Sequence, residues 1–182
     1  MTIHTMNTHE LMACAHGTLL GEGTPRLPKP PILAFDEVME LSTEGGKYGF
    51  GYAVARKAFS SDMDWVFQSH FDHDPVMPGT MMVEGMLQLA GLCGGFRGGR
   101  GKGRAVRVDG VKFLGEIVPE DGEVVYRVDI KKDAKNHSLF VAEGSVQAGG
   151  MVRAVAENLW LLIAPEMAAG QGAQAPVSRT LN

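Results

Sequence analysis

Cysteine is nearly absent from this chain, which has Cys14 and Cys93 and no other among 182 residues. Cys93 falls in an apolar stretch that reads as a buried helix, so no disulfide framework is expected and a reducing, cytoplasmic setting fits. No apolar run reaches the roughly 18 residues that a membrane-crossing helix needs, so no membrane partner is expected. The first residues, Met1 to Glu10, lack a basic start followed by an apolar core and are read as containing no secretory leader. Positive charge is not in excess either. The formal net charge is −4, whereas nucleic-acid binding leaves a basic footprint, so no nucleic-acid partner is expected. Internal repeats and linkers are also missing. One domain over residues 1–164 is therefore expected, followed by a tail over 165–182. That tail is rich in Ala, Gly and Gln with little to bury, and is expected to be disordered.

What remains is ordinary globular material, 45% hydrophobic and 21% charged, on a chain long enough for one core. His9 to Cys14 reads as a short helix. Pro25, Pro28, Pro30 and Pro31 stiffen an extended lead-in. Ile32 to Leu41 and Lys47 to Ala55 read as strands, with Gly45-Gly46 as the turn between them. Beyond residue 104 the chain alternates at strand period over Ala105–Phe113, Gly122–Lys132, Ser138–Gln147 and Met151–Ile163. Gly149-Gly150 is the hairpin turn joining the last two. About six strands accompany one apolar helix over Thr80–Cys93. The pattern predicts an α+β fold in which a curled antiparallel sheet covers that helix.

The chemistry concentrates in Ser69-His70-Phe71-Asp72-His73-Asp74-Pro75-Val76-Met77-Pro78-Gly79 and the helix behind it. Between Met81 and Cys93 the polar side chains are Glu84 and Gln88, four residues apart and hence on one face. An unpaired carboxylate in an apolar helix is costly, and such groups neutralise or find a partner. The helix N-terminus exposes unpaired N–H groups with partial positive charge. Gly79, lacking a side chain, lets a substrate carbonyl come close to its N–H, and a donor so aimed stabilises an enolate. A neutral His70 suits removal of the proton beside that carbonyl. Glu84, protonated because burial favours the uncharged form, can then protonate a hydroxyl leaving the next carbon, with Gln88 holding its carboxyl. Together these groups describe removal of water from a 3-hydroxyacyl compound, or the reverse.

Blander readings stand beside this one. A His near a turn can serve as a cap or a packing residue. His70, Asp72, His73 and Asp74 can be read as metal ligands, but no outlying Cys or His completes a zinc spacing; no metal is expected. Met81, Met82, Val83, Met86, Leu87, Leu89, Ala90 and Leu92 are core. Gly85 and Gly91 each cost about 1 kcal/mol in a helix relative to Ala, and close sheet packing is the expected reason. The loop Gly94 to Arg104 is no nucleotide phosphate loop, because Gly103 rather than Ser or Thr follows Lys102. Its basic residues Arg97, Arg100, Lys102 and Arg104, and the cluster Lys131, Lys132 and Lys135 near His137, are either solvated charges or docking points for an anionic partner such as an acidic carrier protein.

The motif H-F-x-x-D-P-V-M-P-G, followed by a helix with an acidic residue and a Gln, resembles the 3-hydroxyacyl-acyl carrier protein dehydratases, nearest to the 3-hydroxydecanoyl dehydratase/isomerase branch. Leu19 to Pro28, Trp65-Val66-Phe67, Gly101-Lys102-Gly103-Arg104-Ala105 and Val111-Lys112-Phe113 extend the resemblance over about residues 8–165. It implies a hot-dog fold and a homodimer with active sites at the interface, no cofactor, and acyl carrier protein as the partner that brings the substrate. By position His70 is the base and Glu84 the acid, from different chains; Gly79 supplies the backbone donor and the Val76 carbonyl orients the imidazole. The isomerase branch has Asp at the position of Glu84 and Cys at that of Ser69. Dehydration is therefore expected, and weak or no isomerisation of the double bond. An acyl-thioester hydrolase and a non-catalytic acyl-binding subunit are the alternatives. The placement of His70 before Pro-Gly argues against the first, and the retention of both His70 and Glu84 against the second.

Overall fold

The computed structural model describes residues 2–60, 64–134 and 137–164; Lys135 and the tail over 165–182 lie outside them. Eight strands make one sheet: β1 (His4–Met6), β2 (Glu37–Ser42), β3 (Tyr52–Ala58), β4 (Lys102–Asp109), β5 (Lys112–Phe113), β6 (Glu123–Asp133), β7 (Leu139–Ala148) and β8 (Met151–Ala164). Their order is β1-β2-β3-β6-β7-β8-β4, with β5 beside β8, and every strand pair is antiparallel. Among the described residues three α-helices accompany them, α1 (Thr8–His16), α2 (Asp64–Gln68) and α3 (Gly79–Phe96), with a 3-10 turn at Pro119–Asp121.

Period-two alternation builds the middle of the sheet. On β6, Val124, Tyr126, Val128 and Ile130 are buried and face α3, while Arg127 points outward to Asp129 and the Tyr52 ring. On β8 the buried set runs Ala154, Ala156, then Leu159, Leu161 and Ile163. The change of parity is a bulge: Ala142 faces Leu159 but Gly144 faces Ala156. An extra residue on one strand bends and twists it, and this bend curls β8 toward the helix.

α3 packs against β3, β6, β7 and β8, and glycines set the approach. A Cβ at Gly85 would overlap the Tyr126 ring; Gly144 makes room for the Met86 sulfur and Gly94 for Ile163 and Phe140. Gly91 is different. The nearest atom to a Cβ there is Leu161 Cδ2 at 3.7 Å, an ordinary contact, so close sheet packing explains Gly85 but not Gly91.

Several boundaries differ from expectation. Residues 32–36 are not strand: the Ile32 carbonyl and the Ala34 N–H bond to the Gln88 side chain, which takes the place of a neighbouring strand. Residues 47–51 form a loop, since Gly46, Gly49 and Gly51 all have positive φ, and β3 starts at Tyr52. The expected strand 105–113 is two strands, broken at Gly110 with φ 64°. The glycine-rich loop shrinks to residues 97–101, because α3 runs on to Phe96 and β4 begins at Lys102. β1 and α2 are additions. β1 is three residues long and α2 five, too short for a periodic signal.

Candidate active site

His70 sits in the turn after α2, and backbone bonds hold that turn. Val76 N–H donates to the Asp74 carbonyl at 2.9 Å, and Met77 N–H donates to the Ile117 carbonyl at 2.9 Å. His73 turns the chain with φ 64°. The His70 Nδ1 lies 3.1 Å from the Val76 carbonyl oxygen. A carbonyl can only accept, so Nδ1 carries the hydrogen and Nε2 is left with its lone pair. The Phe71 ring stacks on the imidazole at 3.9 Å and 29°, fixing its plane. The ring is half-buried, and in its neutral form this tautomer leaves Nε2 as the basic nitrogen. Among the described residues no group of three His, Cys, Asp or Glu is placed to hold a metal ion.

Directly after the Pro78 N-cap position the chain becomes helical, and Gly79 begins α3 with no side-chain cap. Its N–H belongs to the first turn, where no intrahelical acceptor exists. The space a Cβ would occupy at Gly79 is taken by the Phe113 ring, which stands 2.8 to 3.1 Å from that point. A side chain at Gly79 would have to displace the Phe113 ring, which is 55% exposed, and would also screen the N–H from a substrate.

Further along the helix, Gln88 uses every polar atom it has. Its Nε2 donates to Glu84 Oε1 at 2.9 Å and to the Ile32 carbonyl at 2.9 Å, while its Oε1 accepts from Ala34 N–H at 2.9 Å. The residue is 7% exposed, so these bonds lock it. Glu84 itself is half-buried. It looks into a pocket of about 170 Å³ lined also by Leu27, Pro28, Leu87, Gln88, Gly91 and Leu161. Gly91 thus forms pocket wall, which is what its missing side chain leaves room for.

Among the described residues, the lining of the Glu84 pocket does not include His70.

The basic residues divide. Arg97 is taken out of the docking set: its Nε donates to Asp133 Oδ2 at 2.6 Å, and its guanidinium also bonds the Thr43 and Phe50 carbonyls. With 15% of its side chain exposed, it ties the end of α3 to the sheet. Lys131 is likewise held, by the Glu157 carbonyl at 3.0 Å and Asn158 Oδ1 at 2.9 Å. Arg100, Lys102, Arg104 and Lys132 are exposed. Sequence reasoning missed Arg26, which stands with Arg100, Lys102 and Arg104 around one cleft, because nothing local signals that the 23–28 segment folds against the start of β4. It also missed the Phe71 stack, although Phe71 follows His70 directly.

The layout of one antiparallel sheet around α3 defines a hot-dog fold. Solved structures with this fold include the dehydratase heterocomplex ApeI:P from Xenorhabdus doucetiae, at TM-score 0.58 and 16% identity over 76% of this chain and 87% of that one. Another is an uncharacterized protein from Pyrococcus horikoshii, at TM-score 0.52 and 13% identity over 75% of this chain and 88% of that one. The FabA-like domain family matches residues 27–157, and the chain belongs to that family. Among the described residues no helix is long and apolar enough to cross a membrane.

Proposed function

We propose that the chain is a dehydratase that removes water from (3R)-3-hydroxyacyl thioesters carried on acyl carrier protein, giving trans-2-enoyl thioesters without a cofactor, in the cytoplasm. The observation that carries this reading is the His70 ring, whose Nδ1–H is committed to the Val76 carbonyl so that Nε2 is the base. Nε2 takes a proton from C2. The Gly79 N–H, at the positive end of α3, stabilises the oxyanion that forms on the thioester carbonyl. Glu84, steadied by Gln88, gives its proton to the C3 hydroxyl. That group leaves as water as the C2–C3 double bond forms, and proton exchange with solvent resets the pair. The role requires Glu84 to enter the cycle protonated.

His70 is not among the lining residues of the Glu84 pocket, and in this reading a homodimer brings the two groups together, His70 of one protomer meeting Glu84 of the other. Two features support this. α3 is apolar apart from Glu84 and Gln88, yet Met81, Val83 and Leu87 are only partly buried, and such a helix needs further cover. The open-edge strand β4 carries Val106 at 54% exposure, an unpaired edge of the kind that proteins cover or pair.

The test is product analysis with a 3-hydroxydecanoyl thioester. Dehydration gives enoyl absorbance; release of free thiol in its place would show a hydrolase, and binding without turnover an acyl-binding subunit. His70→Asn and Glu84→Gln should each lose at least about a thousandfold in kcat, since general acid–base groups contribute factors of that order. Mixing the two inactive variants under subunit exchange should restore part of the activity, because some mixed dimers keep one intact site. No recovery from well-exchanged dimers would count against the shared site.

A further inference from the structure

Arg26, Arg100, Lys102 and Arg104 stand around a cleft of about 680 Å³ between the 23–28 segment and the start of β4. No acidic residue is among its described lining residues, in a chain whose net charge is −4. The concentration is therefore local and not a reflection of composition. The two walls are tied together where Gly101 N–H donates to the Gly23 carbonyl at 2.6 Å. Two of the guanidinium groups are steadied by nearby backbone: Arg100 Nη1 donates to the Gly99 carbonyl at 3.0 Å and Arg104 Nη1 to the Gly103 carbonyl at 2.6 Å. Three Arg and one Lys lining one space, with glycines leaving the backbone open, match the needs of a phosphate oxyanion. Guanidinium forks bind phosphate oxygens in pairs and lose little freedom in doing so.

The cleft adjoins the pocket of Glu84, since Arg26, Gly103 and Arg104 line both. The cleft is strongly basic, and beyond the two shared arginines the pocket is apolar with a single carboxyl held by an amide. A ligand that spans the two has an anionic head and, further along, a group on which a carboxylic acid acts. We propose that the cleft is an anion site that holds the phosphate of a phosphopantetheine thioester while the thioester end reaches Glu84. The identity of the ligand rests on the dehydratase reading of Glu84; the anion site itself rests on the cleft alone. Phosphopantetheine is shared by acyl carrier protein and coenzyme A, and the site recognises what they share.

Direct binding comes first and needs no turnover. Calorimetric titration at low salt should show 4′-phosphopantetheine binding at least about tenfold more tightly than pantetheine, as expected when charge-assisted bonds are gained. Arg100→Gln and Lys102→Gln, which lie outside the Glu84 pocket, should erase that preference, and salt should weaken it. Kinetics then compare 3-hydroxydecanoyl thioesters of N-acetylcysteamine, of coenzyme A and of acyl carrier protein. In both variants the ratio of kcat/KM for each phosphorylated substrate to that for the N-acetylcysteamine thioester should fall about tenfold. Equal affinity for pantetheine with and without phosphate overturns the proposal, and so does a variant effect seen with acyl carrier protein alone, which would mark a protein-docking surface. If phosphate preference is present but no thioester is dehydrated, the anion site stands and the functional reading falls. Dehydration without phosphate preference removes the anion site and leaves the dehydratase standing.

Discussion

Gln88 holds Glu84 with one hydrogen of its amide and the Ile32 carbonyl with the other, each at 2.9 Å. The same side chain accepts from Ala34 N–H, so the carboxyl of α3 is coupled to the 32–34 segment through a single buried amide. Gln88→Leu would strand the buried Ala34 N–H and free Glu84. An orphaned buried polar group costs about 1–3 kcal/mol, so the stability read from urea unfolding should fall by that order, with a drop in kcat that exceeds any change in KM. Gln88→Glu keeps an acceptor for Ala34 but loses both donors. It also sets a second buried carboxyl against Glu84 and the Ile32 carbonyl, so it should recover neither the stability nor the activity. Wild-type midpoints for both variants would show that the three bonds do not stabilise the fold.

Gly85→Ala sets two effects against each other. Alanine is about 1 kcal/mol better than glycine within a helix. The added methyl, however, would overlap the ring of Tyr126, which is 2% exposed and packed on all sides. Overpacking of this kind costs about 1–3 kcal/mol, so net destabilisation is expected in thermal unfolding. Gly91→Ala meets only the Leu161 methyl at an ordinary distance. It should be neutral or stabilising, while narrowing the Glu84 pocket and raising KM for long acyl chains. Reversed signs at the two glycines would overturn these roles within α3.

The two thiols give a pH dependence. Burial pushes Cys93 from 9.0 up to about 12, and burial with the nearby Glu10 charge pushes Cys14 up to about 11. Both are free and buried, so the native protein should resist thiol-labelling reagents at neutral pH and react at both sites once unfolded. The sign for stability follows. Above pH 9 the unfolded thiols lose protons that the folded ones retain. Stability is therefore full below pH 9 and falls as pH rises through 11 and 12, by about 1.4 kcal/mol per pH unit for each thiol. Tyr126, whose hydroxyl is also pushed up by burial, acts in the same direction. Cys93→Ala should flatten the alkaline fall measured by urea unfolding; an unchanged slope would show that the thiol is not its source.

Legibility in the sequence followed the length of the signal. β6, β7 and β8 alternate over ten or more residues, and each starts and ends within one residue of where the alternation places it. α3 was plain from its unbroken apolar face. The 32–36 segment was not, because its backbone partners come from a side chain 54 to 56 residues away, and no local pattern encodes that. At the candidate site, His70, Gly79, Glu84 and Gln88 could be picked out because a polar or a missing side chain is conspicuous in apolar surroundings, whereas Val76 came from the family resemblance alone. The bond of Arg97 to Asp133 and the gathering of Arg26 with Arg100 depend on how distant segments meet.

The length of the Glu84 side chain bears on what happens after water leaves. Moving the double bond from C2 to C3 requires a proton to be removed at C4 and one returned at C2, so the catalytic groups must reach both carbons from one bound pose. Gln88 fixes one oxygen of the Glu84 carboxyl, and the Val76 carbonyl fixes the imidazole, so neither group is free to follow the substrate. A glutamate extends one methylene further from the helix than the aspartate of the isomerase branch. With both groups held, that difference shifts the acid by about 1 Å, enough to change a rate by about a hundredfold. We expect fast dehydration of a 3-hydroxydecanoyl thioester and slow or absent conversion of the trans-2-decenoyl thioester to the cis-3 product. Glu84→Asp should lose dehydration rate and gain isomerisation, and adding Ser69→Cys should raise the gain further if that position also shapes the pocket. Rapid cis-3 product from the wild-type protein would sink the idea. Isomerisation absent from all three would place the control elsewhere, in the path of the acyl chain.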